Sequence, residues 1–227
     1  MWRAATDLAP SHLRRFQQTL SAAERERAGR FCFRKDRERF VAARGLLRTI
    51  LARYLEVAPN QLRLSSNSHG KPALALESGG DRLCFNVAHS HRMALFAVTR
   101  QKEIGVDIER IRPDLANEMI ARRFFSPHEV ATLLALPENL RREAFFTCWT
   151  RKEAYVKARG EGLSFPLDLF TVSLAPGDLP ALLRVEGNVQ ESSRWSLHNL
   201  CPGPDYVAAL AIEGHALGID LWQWADT

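Results

Sequence analysis

Two carboxylates lie two residues apart inside an otherwise apolar run, "IGVDIER", residues 104–110. Successive side chains of a β-strand point to opposite faces, so Asp107 and Glu109 share one face and Ile104, Val106 and Ile108 the other. Like charges on one face repel. Either that face is open to solvent, where acidic side chains are mostly found, or a divalent cation relieves the repulsion. Mg²⁺ suits the second reading, because it takes oxygen ligands and is commonly held by one or two carboxylates plus substrate phosphates. Gly105 would let the backbone lie close to a ligand.

Four other groups carry possible chemistry. In "CWTRKEAYVKARGEGL", Glu153 and Lys157 are four apart, which places them on one face of a helix. They form a surface ion pair, or a third carboxylate reaching the strand pair if two halves of the chain pack together. In "HGKP", Gly70 and Lys71 form a tight turn that can offer backbone N–H groups and a cation to a phosphate. The turn lacks the full spacing of a P-loop. In "FNVAHSHR", His89 and His91 could chelate a metal, but no third His or Cys ligand is nearby, so zinc is disfavoured. Residues 25 to 53 are rich in arginine. Most of these pair with local acids, whereas Arg44 and Arg48 are four apart with no close acidic partner in sequence and suit phosphate through their planar guanidinium groups.

The elements that must position these groups follow from patterning. A short strand near residues 2–6 precedes two helical segments, the second starting with the capping-box pair Ser21 and Glu24. A long helix spans about residues 36–56 and stops before Pro59. "LCFNVAHS" and "MALFAVTR" read as a hairpin, and "EIGVDIE" as the next strand. Helical patterning resumes in "RPDLANEMIARRFF". "SPHE" is a strong helix start, and a long amphipathic helix runs from about residue 137 to a C-cap at Gly160. The strands "LFTVSL", "LLRVEG", "RWSLHNL" and "YVAALAIE" follow. Helices, then small antiparallel sheets, occur twice. The expected class is therefore α+β, pseudo-duplicated, with halves at residues 1–112 and 113–227, each holding a small antiparallel sheet and a long helix.

The chain of 227 residues is 46% hydrophobic, enough for a sizeable core, and carries a net charge of +5, which suits an anionic partner. Cys32, Cys84, Cys148 and Cys201 form no C-x-x-C pair, so reduced thiols in the cytoplasm are expected. The first residues lack the apolar stretch of a signal peptide, and no run of about 18 apolar residues is present to span a membrane.

Taken in order, "HGKP", "FNVAHS", "IGVDIER", "RFFSPHE" and "CWTRKEAYVKARGEGLSFPLD" resemble the 4′-phosphopantetheinyl transferases of the surfactin-synthetase-activating type over residues 20–212. The resemblance implies two α+β halves related by a pseudo-twofold, with the active site in the cleft between them. It implies transfer of the phosphopantetheine arm of coenzyme A to a serine of an apo acyl or peptidyl carrier protein, releasing adenosine 3′,5′-bisphosphate. Carried over by motif, Asp107, Glu109 and Glu153 would hold Mg²⁺ with the coenzyme A pyrophosphate. Glu153 would take the serine proton, directly or through water, and Lys157 would contact the pyrophosphate or the leaving group. Gly70, Lys71 and His89 would bind coenzyme A phosphates, aided by Arg48 and Arg44. The sequence departs from the family pattern at Ala88, where a serine often precedes the motif histidine, and one hydroxyl contact to a phosphate is expected to be missing there or replaced by a backbone N–H.

The expected partners are coenzyme A and an acidic carrier, docking beside the cleft near Phe124 and Phe125, with no nucleic acid or membrane. A monomer is expected, because two fused halves already make the cleft. Two alternatives compete. A basic nucleic-acid-binding module would leave Asp107, Glu109 and Glu153 without a role. A Mg²⁺-dependent phosphohydrolase or nuclease would use those acids without needing a carrier protein.

Overall fold

Helix starts and stops written into the sequence set the architecture. In the computed structural model, which describes residues 1–78, 83–112, 118–162, 165–215 and 218–225, the chain runs β1 (Trp2–Ala5), α1 (Pro10–Thr19), α2 (Ala22–Gly29), α3 (Arg34–Leu55), β2 (Leu64–Ser66), β3 (Pro72–Leu74), β4 (Leu83–Ser90) and β5 (Met93–Arg100). It continues through β6 (Ile104–Arg110), α4 (Glu118–Phe124), α5 (Pro127–Ala135), α6 (Glu138–Arg159), β7 (Phe170–Val172), β8 (Leu182–Val185), β9 (Trp195–Leu200), β10 (Tyr206–Glu213) and β11 (Trp222–Gln223). Both expected capping boxes form. Ser21 and Glu24 satisfy each other's backbone N–H at the start of α2, as Ser126 and Glu129 do at α5. Gly160 ends α6 at φ 75°, a left-handed conformation that glycine adopts without a Cβ clash. The helix expected from residue 112 is described from Glu118 onward. Residues 113–117, and 163–164 of the "LSFPL" block, lie outside the described residues.

Two sheets, antiparallel apart from the β11–β1 pair, carry the long helices. One has the order β11-β1-β5-β4 and the other β6-β10-β9. They meet at β4 and β6, where side chains replace a backbone ladder: Val106 N donates to Asn86 Oδ1 at 2.9 Å and Arg110 N to Ser90 Oγ at 3.0 Å. Apolar residues from both sheets, including Ala88, Leu95, Val106, Ile108 and Leu210, form the core at this junction. Two further cores surround α3 and α6.

The α+β class and the repeat are both present, and the point of division moves. Strand orders β1-β5-β4 and β6-β10-β9 match, which makes β6 the counterpart of β1. β6 is laddered to β10 along its whole length, Ile104 opposite Ile212 and Arg110 opposite Tyr206. The carboxylate strand therefore opens the second unit, whereas a division at residue 112 assigned it to the first. A composition shift cannot reveal which strand a neighbour pairs with. The strand β11, parallel to β1, was also not expected from the sequence.

Candidate active site

Strand β6 lies against helix α6 at unusually close range, and Gly105 is the reason. A Cβ at Gly105 would come within 2.1 Å of the Ala154 carbonyl oxygen and 2.3 Å of Ala158 N. Gly105 thus serves a backbone contact with α6, not the ligand approach expected from sequence. Asp107 and Glu109 share its face of the strand. The α6 side chains one and two turns along from the Trp149 level, Glu153 and Lys157, then meet them. Lys157 Nζ donates to Asp107 Oδ1 at 2.6 Å. Asp107 is 5% exposed, and its Oδ2 is buried with no hydrogen-bond partner.

The electrostatics are those of crowded carboxylates. Burial pushes the Asp107 carboxyl up to about 7; Lys157 opposes this, and the charges of Glu153 and Glu109 add to it. Burial also raises Glu153, again with Lys157 opposing and Glu109 reinforcing. Glu109 accepts a hydrogen bond from Ser90 Oγ at 3.0 Å. The three acids are near enough to repel one another. Yet among the described residues no three His, Cys, Asp or Glu side chains are grouped as metal ligands. The expected set of Asp107, Glu109 and Glu153 shares a site, with the Lys157 ammonium on Asp107.

Two hollows border the hydrogen-bonded pair Ser90 and Glu109. On one side a cavity of about 430 Å³ is lined by Thr6, Phe31, Arg39, His89, Ser90, Arg110 and Arg112, among others. Thr6 Oγ1 is buried there without a partner. Arg39 is held by Asp7 at 2.7 Å, and that pairing keeps the Asp7 carboxyl below its ordinary range. On the other side an apolar groove of about 220 Å³ is lined by Glu109, Ile120, Phe124, Phe145, Phe146 and Trp149. Trp149 meets Phe124 edge-on, with centroids 5.7 Å apart. Glu109 lines the groove and its partner Ser90 lines the cavity, so the two hollows are linked through this pair.

The structure brings Asp107, Glu109, Glu153 and Lys157 together and places His89, exposed, at the cavity. Other expected phosphate binders are elsewhere. Arg48 is 1% exposed and donates to Glu24 at 2.6 Å and to the carbonyls of Pro59 and Leu62, so it is a buried clamp and not a ligand group. Arg44 joins the same carboxylate at 3.1 Å. The acidic partner that both lacked in sequence is Glu24, the capping-box residue. Lys71 bonds Glu103 at 2.8 Å and the Ala158 carbonyl at 2.9 Å. With Asn67 on the Gly160 carbonyl, it fastens the "HGKP" turn to the C-terminal end of α6, where the helix dipole favours a cation. Gly70, at φ 84°, shapes that turn and lines neither hollow. Ala88 is buried in the junction core, so the expected missing hydroxyl has no place at the cavity. Phe125 is 2% exposed inside the core, whereas Phe124 borders the groove.

Sequence reading missed Arg39, Arg110 and Arg112. Arg39 and Arg110 each sit beside an acid in the sequence and Arg112 follows just past a strand end, and only the folded chain gathers them. It also missed the role of Lys152, which is fully buried with Glu129 at 2.7 Å and bonds the carbonyls of Leu167 and Phe170.

Comparison with known proteins bears on what this site does. The family model described as "4'-phosphopantetheinyl transferase superfamily" matches residues 103–211, and that described as "4'-phosphopantetheinyl transferase, N-terminal" matches residues 6–101. A "4'-phosphopantetheinyl transferase HetI" from Nostoc sp. is 40% identical over 224 residues, covering 99% of this chain and 91% of that protein. The "4'-phosphopantetheinyl transferase Sfp" of Bacillus subtilis is 34% identical over 160 residues, covering 70% of this chain and 69% of its own. Among solved structures, Thermotoga maritima holo-[acyl-carrier-protein] synthase aligns at 21% identity with a TM-score of 0.40, over 49% of this chain and 62% of that one.

Proposed function

The chain belongs to the 4′-phosphopantetheinyl transferase superfamily, and from that premise we propose that Asp107, Glu109, Glu153 and Lys157 form its active site. The enzyme transfers the 4′-phosphopantetheine arm of coenzyme A to a serine of an apo carrier protein and releases adenosine 3′,5′-bisphosphate. The observation that carries the site assignment is the path from cavity through Glu109 to groove. Coenzyme A has the same order: an anionic nucleotide, a pyrophosphate, then a long arm with little charge. Arg39, Arg110, Arg112 and His89 would receive the nucleotide phosphates, guanidinium groups being suited to bidentate phosphate contacts. The pyrophosphate would lie at the carboxylates, and the arm along Phe124 and Trp149.

In this placement the serine hydroxyl attacks the phosphorus that carries the pantetheine arm. A new O–P bond forms there, the pyrophosphate P–O bond breaks, and the bridging oxygen leaves with the nucleotide. Glu153 accepts the serine proton; its raised pKa makes it a better base than an ordinary carboxylate at neutral pH. Lys157 is placed to neutralise charge on the departing phosphate. The orphaned Asp107 Oδ2 and the mutual repulsion of the three acids fit a divalent cation. Asp107, Glu109 and Glu153 would hold Mg²⁺, which when bound with the pyrophosphate supplies charge neutralisation. The +5 net charge supports an acidic carrier as partner. A single chain supplies the whole cleft, which supports a monomer. No helix among the described residues is long and apolar enough to cross a membrane, and the scattered free cysteines are in keeping with a cytoplasmic setting.

The deciding experiment incubates the protein with coenzyme A, Mg²⁺ and apo carrier proteins of several kinds, and follows carrier mass. At least one carrier gains phosphopantetheine. A series in which none does overturns the reading.

A further inference from the structure

The Lys157 ammonium is bonded to the carboxylate that a metal would need. Its contact with Asp107 Oδ1, at 2.6 Å, is the hydrogen bond the structure gives that buried side chain, whose second oxygen has no partner. Two cations on one buried carboxylate repel strongly, since the local dielectric is low. A metal arriving alone must therefore displace Lys157 or tolerate it. Lys157 is able to leave: its side chain is 31% exposed, and it sits in the last turn of α6 facing the cleft.

The related helix position in the first unit makes the point sharper. Lys157 is the twentieth residue of α6, and Arg53 is the twentieth of α3. Arg53 lies 4.4 Å from the Trp224 ring centroid and 5.8 Å from that of Trp2. There the cation rests on aromatic rings that no metal competes for. In the second unit it rests on a carboxylate, and a phosphate could take it over.

Resting on the active-site reading above, we propose that Lys157 is a built-in counter-ion that makes metal binding conditional on coenzyme A. Without coenzyme A, the ammonium stays on Asp107 and metal binds weakly. When the pyrophosphate arrives, Lys157 moves from carboxylate to phosphate, Asp107 is freed, and metal and coenzyme A strengthen each other's binding by equal factors. The role assigned is that of a positioning residue for the metal site, in addition to its contact with phosphate.

The test is Mn²⁺ titration, followed by electron paramagnetic resonance, of the wild type and Lys157→Met, each with and without coenzyme A. Without coenzyme A the variant binds Mn²⁺ about tenfold tighter or more, because the competing charge is gone. Coenzyme A then improves Mn²⁺ affinity less in the variant than in the wild type. Arg110→Met removes a charge next to Glu109 but not on Asp107, and shifts Mn²⁺ affinity alone by less than about twofold. The proposal is overturned if Lys157→Met binds Mn²⁺ no tighter than wild type, or if Arg110→Met gives an equal gain. Should Lys157→Met melt well below the wild type, Lys157→Gln carries the same comparison. Failure here is separable from failure of the parent reading: a wild type that transfers phosphopantetheine while its Mn²⁺ affinity ignores Lys157 refutes only the counter-ion.

Discussion

The two long helices of this chain are built to one plan and used for different ends. α3 and α6 each have 22 residues, and the fifteenth of each is a buried cation. Arg48 clamps the capping-box Glu24 and the carbonyls of Pro59 and Leu62; Lys152 clamps the capping-box Glu129 and the carbonyls of Leu167 and Phe170. One residue further, α3 has Thr49, whose hydroxyl bonds back to the Gly45 carbonyl, and α6 has Glu153. On the matching strands, Trp2 faces Phe96 and Ala4 faces Ala94, at the fourth and second positions of β5; Asp107 and Glu109 hold the same places opposite β10. The scaffold is retained in both units and the acids in one. Carboxylates at these sites are not needed to hold the helix on the sheet. They are a cost that the second unit bears, visible in the raised Asp107 and Glu153.

The comparison breaks most sharply at Glu153. Replacing it with Gln should lower kcat by about two to four powers of ten, the usual contribution of a general base, while stability is unchanged or rises as carboxylate repulsion falls. Thr49→Val, at the same position of α3, should leave kcat within about twofold, since it removes only a helix back-bond. Steady-state kinetics and thermal melts on both variants decide this. Near-normal turnover in Glu153→Gln removes its assigned role.

The shared clamp predicts a second effect, on stability and of similar kind in both units. Arg48→Met and Lys152→Met each take a buried cation from a capping-box glutamate. Lys152→Met removes the ion pair of Glu129 and should cost about 3 kcal/mol or more, whereas Arg48→Met should cost less because Arg44 still pairs with Glu24, both read from denaturant unfolding. If Arg48→Met were well folded with a raised KM for coenzyme A, Arg48 would be a ligand group after all and the repeat argument would fail.

These correspondences also show what a sequence can and cannot disclose. Ser21 with Glu24, Ser126 with Glu129, the Gly160 cap and the alternation in "IGVDIER" are local signals, and each appears in the structure as read. Arg48 was misassigned because its acid is 24 residues away and already looked committed to a cap. Lys71 is bonded to Glu103 and a helix end, which the sequence could not disclose because a Gly-Lys turn looks the same whether it meets a phosphate or a helix end. Arg39, Arg110 and Arg112 come from α3, the end of β6 and the residues just after it, and only tertiary packing gathers them at one cavity. The Ser90–Glu109 contact joins β4 to β6 across the sheet junction, which no periodicity encodes.

A third prediction uses pH. Asp107 is raised from its ordinary value of 3.8 to about 7 in the folded chain, so the folded state holds its proton more tightly than the unfolded state. Between those values stability falls as pH rises. Trp2, its counterpart, cannot titrate. With a chelator present, the wild type should lose about 3 kcal/mol between pH 4 and 7 relative to Asp107→Asn, the raised value already including the opposing charge of Lys157. Parallel stability curves for the two proteins would mean that Asp107 is an ordinary ionised partner of Lys157.

The smallest effect concerns the cation on the other side of the repeat. Arg53 stacks on Trp224 and Trp2, and Trp2 Nε1 also donates to the Tyr54 hydroxyl at 3.0 Å. Arg53→Met keeps most of the packing and removes the charge. Its cost should be about 0.5–1 kcal/mol, the ordinary worth of a partly exposed cation–π contact, with kcat and Mn²⁺ affinity unmoved. Lys157→Met should do the reverse, changing metal affinity and turnover more than stability. If the two substitutions behaved alike, the cation at this helix position would be a packing element in both units. Opposite behaviour assigns the difference to what each strand presents to it: indole rings that can only hold the cation, or a carboxylate from which it can be released.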